Sequence, residues 1–378
     1  MRIAQVSPLY ESVPPKLYGG TERVVASLTE ELVRQGHEVT LYASGDSITS
    51  ANLVACSPRS LRLDENCVDA IARHFTMLER VFSEAERYDI IHFHIDYLHF
   101  PLSRRTRIRQ LSTLHGRLDI PDLAPLYHEY RDMPLVSISN AQREPLSWAN
   151  WKGTIYHGLP DDLFRLQEKP GDYLVFLGRL SQEKRPDRAI EIAKRAGIKL
   201  KIAAKVDKSD REYFNAEIKP LLAHPLIENI GEIGELEKQE FLGNARALLF
   251  PIDWPEPFGL VMIEAMACGT PVIAYPCGSV PEIVDNGLTG CIVNDVDEAV
   301  RAIARLDSID RRRCRAVFEQ RFTAKRMAND YLKVYDRILV EQRLLETAAR
   351  RQRYVQPLDV KVLNPPALLD EITTAISD

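Results

Sequence analysis

Residues 250–281 read FPIDWPEPFGLVMIEAMACGTPVIAYPCGSVP. An apolar run ends at Pro251, a proline-rich loop follows, and helix-forming residues begin near Phe258 and Gly259. Strand, loop and helix in that order place a helix N-terminus, with its outward-pointing N–H groups, just beyond a strand's carboxyl end. Such a terminus seats anions, and Gly259 leaves room for a ligand to approach closely. Glu256 precedes the helix and Glu264 lies about two turns along it. Either carboxylate can accept hydrogen bonds from the vicinal hydroxyls of a ribose or hexose. The plainer alternative is that Glu256 caps the helix and Glu264 is a surface charge.

The same alternation runs outward in both directions. Strands are predicted at 2–7, 38–44, 90–94, 110–115, 135–139 and 154–156, and a second series at 173–177, 199–204, 227–230, 247–251, 271–275 and 291–293. Helical patterns lie between them, such as 21–35, stopped by Gly36, and 185–196. Strands separated by crossover helices imply parallel sheets and right-handed βαβ units. The fold class is therefore α/β, with two doubly wound Rossmann-like domains that meet in the Gly/Pro/Asp-containing stretch 157–170. Ligands of such sheets sit beyond the strands' carboxyl ends, so two domains facing one another line a central cleft.

Length and composition agree. A chain of 378 residues is too long for one compact core, and 45% hydrophobic with 27% charged residues is ordinary for a soluble globular protein. A formal net charge of −5 supplies no global basic field for nucleic acid. Basic residues do concentrate between Arg301 and Arg353. They read as solvated outer faces of helices, with a peripheral dock for anionic lipid or a partner as the alternative. The six cysteines include no C-x-x-C pair and read as small buried side chains in a reducing compartment. The N-terminus lacks the parts of a signal peptide, and no apolar run has the length of a membrane span, so the predicted location is cytoplasmic. His92, His94 and Asp96 alternate along one strand and its end. Two ligands from one strand rarely complete a metal site, and none is expected. Asp295, Val296 and Asp297 form a D-x-D string read as a loop.

The two glutamates stand at E-x7-E spacing with Pro257, Phe258 and Gly259 between them. Leu177, Gly178, Arg179 and Leu180 lead to Glu183 and Lys184, and the stretch 278–284 (GSVPEIV) is followed by Asn286 and Gly287. Together these resemble the family-4 retaining glycosyltransferases of GT-B architecture, over nearly all of the chain to about Leu339. The resemblance implies transfer of a hexosyl unit from a nucleotide diphosphate sugar, a UDP-sugar by preference, to an acceptor it does not identify, with retention at the anomeric carbon. It implies no metal and no other cofactor, the nucleotide sugar being a co-substrate. It also implies an acceptor-side domain at 1–158, a donor-side domain at 159–321 and a helix at 322–345 crossing back to the first domain, leaving a tail at 346–378 without a legible role.

The catalytic residues implied are Arg179, Lys184, Glu256 and His115. Donor-binding positions are Gly19, Gly20, Gly178, Pro257, Phe258, Gly259, Leu260, Val261 and Glu264, and the acceptor candidates are His94 and Ser139. Gly19 and Gly20, in Tyr18-Gly19-Gly20-Thr21-Glu22, follow the first strand and open a helix. Arg179 and Lys184 also make sense chemically. A departing diphosphate gains negative charge as the glycosidic bond breaks, and fixed cations stabilise that charge more in the transition state than before it. The alternative is that both are surface cations paired with Glu183 or Asp187. No carboxylate stands out as a covalent nucleophile, so a front-side route through an oxocarbenium-like ion pair fits better than double displacement.

This chain departs from the family pattern at His157-Gly158, where Asn-Gly is usual, and near Ala204, where glycine is common. Both changes bear on the shape of the sugar pocket. Trp148, Trp151 and Tyr127 are either sugar platforms or core. The rival readings are a nucleotide-sugar epimerase of the same architecture, which does not require the E-x7-E/PFG combination, and a non-catalytic sugar-nucleotide-binding protein. A dinucleotide-dependent oxidoreductase would carry G-x-G-x-x-G directly after the first strand, where this chain has a proline-containing loop.

Overall fold

A computed structural model describes residues 1–17, 19–106 and 108–354. Tyr18 and the greater part of the 346–378 tail lie outside the described residues. Met1–Asp336 form one compact unit that holds both sheets, and Arg337–Asp378 form a second.

The first sheet contains β1 (Arg2–Val6), β2 (Glu38–Ser44), β3 (Asn52–Ser57), β4 (Ile90–Phe93), β5 (Gln110–Thr113), β6 (Leu135–Ser137) and β7 (Trp151–Thr154), in the order 3-2-1-4-5-6-7. The second contains β8 (Tyr173–Arg179), β9 (Lys199–Lys205), β10 (Ile227–Gly231), β11 (Ala245–Phe250), β12 (Val272–Ala274) and β13 (Gly290–Ile292), in the order 10-9-8-11-12-13. Every pairing in both sheets is parallel. Both domains are thus doubly wound, and the strand order reverses between β1 and β4 in one and between β8 and β11 in the other.

Three predictions needed correction. The strand β3 was not predicted. It is an edge strand in which only Val54 and Ser57 are buried, so it lacks the continuous apolar signal of the central strands. The last strand of the first sheet begins at Trp151, upstream of the predicted 154–156. Asp295-Val296-Asp297 is no loop: Asp295 is the N-cap of the helix Val296–Ile303, accepting the Glu298 N–H at 2.7 Å.

The basic run is also not simply a solvated face. Arg311, on the helix Arg311–Arg321, is buried and donates to the carbonyls of Gln167, Gly243 and Ala245. Arg315 donates to the carbonyls of Asp161, Phe164 and Ala267. These guanidinia satisfy carbonyls that helix and loop ends leave without partners.

The chain crosses between the sheets twice at one place. Leu159 N–H donates to Phe322 O at 2.9 Å, and Ala324 N–H donates to Leu159 O at 2.7 Å. Gly158 is obligatory beside this join, because a Cβ there would lie 2.2 Å from Thr323 O. The helix Ala324–Tyr354 follows, and its residues up to Asp336 pack against the first sheet. Along it, Arg326 donates to the carbonyls of Tyr156 (2.7 Å) and His157 (2.9 Å). Tyr331 OH pairs with Thr113 Oγ1 at 2.9 Å, and Tyr335 OH contacts Gln5 and His92. Replacing Arg326 by Met leaves both crossover carbonyls unpartnered, so R326M should lower unfolding free energy by roughly 2 kcal/mol or more in urea titrations. An unchanged midpoint would show that the crossover does not depend on this side chain.

Two histidines are packed into the first sheet. His99 bonds Ser103 Oγ (2.7 Å) and Ser112 Oγ (2.8 Å) and stacks on Phe93 at 3.7 Å. Burial pushes its imidazolium titration down to about 3, and that of His92 well below the usual range. Unfolded, each titrates near 6.5. For His99 the stability held in the neutral form is therefore complete above about pH 6.5 and is lost as pH falls from there towards 3, at about 1.4 kcal/mol per pH unit, and His92 acts in the same direction. Urea unfolding compared at pH 7 and pH 5 should show this loss, and H99Q should make the pH dependence shallower by about one proton.

Candidate functional site

The two switch points open into one cleft of 720 Å³. The first domain contributes residues following β1 and β4, and the second contributes the ends of β8 and β11. The cleft lining includes Arg179, Lys184, Glu256 and His115, and also Gly19, Gly20, Gly178, Pro257, Phe258, Gly259, Leu260, Val261, Glu264 and His94. Ser139 does not reach it. Its side chain is fully buried and accepts the Gln142 N–H at 3.0 Å as an N-cap, so the acceptor assignment is corrected to a structural one.

On the second-domain wall, Arg179 ends β8 and Lys184 closes the turn Gln182–Lys184. Arg185 follows in the left-handed region (φ 52), redirecting the chain into the helix Pro186–Ala196. Arg179 Nη2 donates to Glu183 Oε2 at 3.3 Å, while Nη1 lies 3.6 Å from Asp210 and 3.7 Å from Asp207. It is therefore at once a cleft residue and the partner of Glu183. Lys184 Nζ is hydrogen-bonded to Glu256 Oε2, which also accepts from Trp254 Nε1 at 3.0 Å.

The loop after β11 is shaped by two glycines. Gly259 (φ 79) precedes the helix Leu260–Ala267 in the left-handed region, where a side chain would be strained. Gly278 (φ 58) lies so close to the loop that a Cβ would sit 2.3 Å from Glu256 N. Ser279 completes the clamp, its N–H donating to Glu256 O (2.9 Å) and its Oγ to Phe258 O (2.8 Å). The GSVP stretch thus holds the glutamate loop. Across the cleft, a Cβ on Gly20 would come within 3.7 Å of Leu260 Cδ1, so the amino ends of the helices Gly20–Arg34 and Leu260–Ala267 converge. Both present N–H groups and the positive end of a dipole to the same space.

Glu264 is buried on the second turn, bonded to Lys238 Nζ at 2.7 Å with Arg23 Nε 4.0 Å away. These cations hold its carboxyl below the usual range against a strong opposing effect of burial. Burial lowers the Lys238 titration in turn. Arg23 also pairs with Glu235, so residues of both domains meet around the second glutamate. Neither Lys238 nor Arg23 was singled out in the sequence; only their juxtaposition in space identifies them.

On the first-domain wall, His94 Nδ1 is 2.9 Å from His115 Nε2, and His94 Nε2 is 2.8 Å from Gln5 Oε1. Because Gln5 Oε1 can only accept, His94 carries its proton on Nε2, and His115 must donate from its own Nε2. The sequence of bonds continues from Gln5 Nε2 to Tyr335 OH (3.2 Å), on to His92 Nδ1 (2.8 Å), and from His92 Nε2 to Thr113 Oγ1 (2.7 Å). Both nitrogens of His92 are thus committed to hydroxyls. Among the described residues no group of three or more His, Cys, Asp or Glu is placed to hold a metal ion. Burial pushes His115 down to about 3, leaving a neutral ring whose Nδ1 is buried without a partner. His157 stacks on it at 5.2 Å and packs edge-on against Phe258 at 4.8 Å. The departure at His157 therefore changes the cleft wall itself. Asp96 is accessible yet deep in the cleft, and the surrounding protein pushes its carboxyl up to about 6.

Of the aromatic candidates, Tyr127 is core and Trp151 donates to Leu146 O at 2.8 Å. Trp148 packs beside His128, and none of the three lines the cleft. The tryptophan that does is Trp254, which the sequence reading passed over. Its position two residues before Glu256 was the available signal.

Comparison with known proteins agrees with this architecture. Residues 18–152 match the model for Glycosyltransferase Family 4, and residues 162–318 match that for Glycosyl transferases group 1. An uncharacterized glycosyltransferase of Methanocaldococcus jannaschii is 25% identical over 346 residues, covering 77% of this chain and 84% of that one. An uncharacterized protein of the Klebsiella pneumoniae cps region is 28% identical over 172 residues, which is 43% of this chain and only 45% of the Klebsiella protein. Among solved structures, AviGT4, a glycosyltransferase involved in avilamycin A biosynthesis, superposes with a TM-score of 0.71 at 24% identity, covering 90% of this chain and 98% of that one. Anabaena HepE, solved in complex with UDP and glucose, gives a TM-score of 0.69 at 17% identity, covering 89% and 99%. With both halves matched and the fold shared, the chain belongs to the family-4, group 1 glycosyltransferases of GT-B architecture.

Proposed function

We propose that this glycosyltransferase transfers a hexosyl unit from a UDP-sugar to a hydroxyl-bearing acceptor, with retention at the anomeric carbon. One observation carries the reading: Arg179, Lys184 and the amino end of the helix Leu260–Ala267 line the same cleft. Three sources of positive potential around one cavity fit a diphosphate, whose charge grows as the glycosidic bond breaks. HepE, of the same fold, was solved with UDP and glucose, which supports uridine as the nucleoside.

In this reading Arg179 and Lys184 hold the departing phosphates, and Glu256 accepts hydrogen bonds from hydroxyls of the transferred sugar. Glu264, with Lys238 beside it, faces the ribose. His115 forms the wall near the anomeric carbon. Its ring is neutral and its Nε2 proton is committed to His94, so it contributes shape and its backbone carbonyl in preference to a proton. No carboxylate other than Glu256 is placed by this reading against the sugar, and Glu256 is tied to Lys184 and Trp254. A front-side displacement through an oxocarbenium-like ion pair is therefore favoured over a covalent intermediate.

A thermal-shift and calorimetric panel of nucleoside diphosphates and nucleotide sugars tests this directly. UDP should raise the melting temperature of the wild-type protein, and R179A should weaken UDP binding by about 10- to 100-fold, the loss of one or two charge-assisted hydrogen bonds. No shift with any nucleotide at millimolar concentration would sink the donor assignment. Once a donor–acceptor pair is found, the anomeric proton of the product, read by NMR, should show the donor's configuration. Inversion would refute the front-side route.

A further inference from the structure

The cleft holds one aromatic side chain whose contacts all converge on the reacting end of the donor-side wall. Trp254 stands within the loop that leaves β11, two residues before Glu256. Its indole Nε1 donates to Glu256 Oε2 at 3.0 Å, and the same oxygen accepts from Lys184 Nζ. The Lys184 ammonium lies 4.9 Å from the Trp254 ring centroid, so cation–π attraction acts alongside the ion pair. The Arg117 guanidinium, carried on the loop after β5, lies 5.8 Å from the same ring. Arg117 is itself held by Asp119 (2.7 and 2.8 Å) and reaches Glu183 at 3.4 Å. Cations of both domains thus surround the indole. Its polar edge is spent on Glu256.

A carboxylate in a cleft can rotate between several acceptor directions. Two donors fixed on one oxygen remove that freedom and leave the other oxygen to face a ligand. We propose that Trp254 is a positioning residue: its indole N–H fixes the Glu256 carboxylate so that Oε1 presents to the hydroxyls of the transferred sugar, making Trp254 a determinant of sugar recognition. The functional part rests on the donor reading given above; the orienting contact stands independently of it. The indole does not serve as a stacking platform for the sugar, because Lys184 and Arg117 already lie against the ring. W254F isolates the role, since it keeps a ring for Lys184 and deletes only the N–H donor and the second ring.

The contact can be read without any ligand. The chain has three tryptophans, and the indole N–H resonance missing from a ¹⁵N-correlation spectrum of W254F identifies that of Trp254. E256Q should move this resonance and leave those of Trp148 and Trp151 in place. An unmoved Trp254 signal overturns the orienting contact. The functional arm compares UDP with UDP-glucose by calorimetry. W254F should bind UDP as the wild type does but lose about 10-fold in affinity for UDP-glucose, the value of one hydrogen bond to a charged group. E256Q should cost a similar factor, and the double variant W254F/E256Q no more than either alone, because both act through one oxygen. Additive losses overturn the proposal, as does equal weakening of UDP and UDP-glucose or a wild type that holds UDP-glucose no tighter than UDP. Failure of the wild type to bind UDP at all counts against the donor reading, and the indole resonance still decides whether Trp254 orients Glu256.

Discussion

The backbone pairing of Leu159 with Phe322 and Ala324 is the constraint from which the cleft follows. A doubly wound sheet binds ligands where its strand order reverses, and one such crevice is shallow. Here the chain leaves the first sheet and later returns towards it through the same point. Residues from both switch points consequently line one cavity. The join tolerates no side chain at Gly158, and it draws the carbonyls of Tyr156 and His157 onto the half-buried guanidinium of Arg326. Histidine at 157 stands both beside the join and in the cleft wall: its ring extends from the join onto His115 and Phe258.

Behind the cleft, polar groups are buried at a density that only complete hydrogen bonding can support. The route from His115 through His94, Gln5, Tyr335, His92 and Thr113 gives every polar group along it a partner except His115 Nδ1. Protonating His94 would set its Nδ1 proton against the His115 Nε2 proton, and protonating any ring along the route would bury a charge, so burial keeps these rings neutral. The route begins at a cleft residue and reaches the helix Ala324–Tyr354, so the first-domain wall and the return helix share one polar network.

Much of this was legible in the sequence, and the reason is local. The loops at the second-domain wall need glycine where φ is positive or backbone approaches backbone, as at Gly259 and Gly278, and carry charge at strand ends, as at Arg179 and Lys184. Such requirements restrict residue type over short spans. The central strands were legible for a similar reason: burial on both faces demands continuous apolar runs. Features set by distant contacts were not. Helical periodicity assigns Arg311 and Arg315 to a helix but cannot reveal that their guanidinia turn inward to loop carbonyls. The edge strand Asn52–Ser57 shares its face with solvent, so its signal is diluted. Ser139 has the side chain both of a cap and of a ligand contact, and only its full burial distinguishes them.

The charges of the site are arranged as compensated groups. Arg179 is surrounded by Glu183, Asp207 and Asp210, Lys184 is joined to Glu256, and Glu264 is joined to Lys238 with Arg23 nearby. A cation in a cleft shielded from bulk water is costly when isolated and prone to fold onto whatever carboxylate is nearest. Supplying that carboxylate from the scaffold sets the cation's direction before any ligand arrives. On the proposed reading, an incoming diphosphate would meet oriented donors and need not order them, although it would compete with the resident carboxylates for those donors. The balance, on that reading, would favour a ligand bringing two negative phosphates and a set of hydroxyls together, because such a ligand satisfies the cations and the glutamates they release in one step. Selectivity for a nucleotide sugar over a simple anion would therefore reside in the pairing of opposite charges within the cleft more than in any single basic residue.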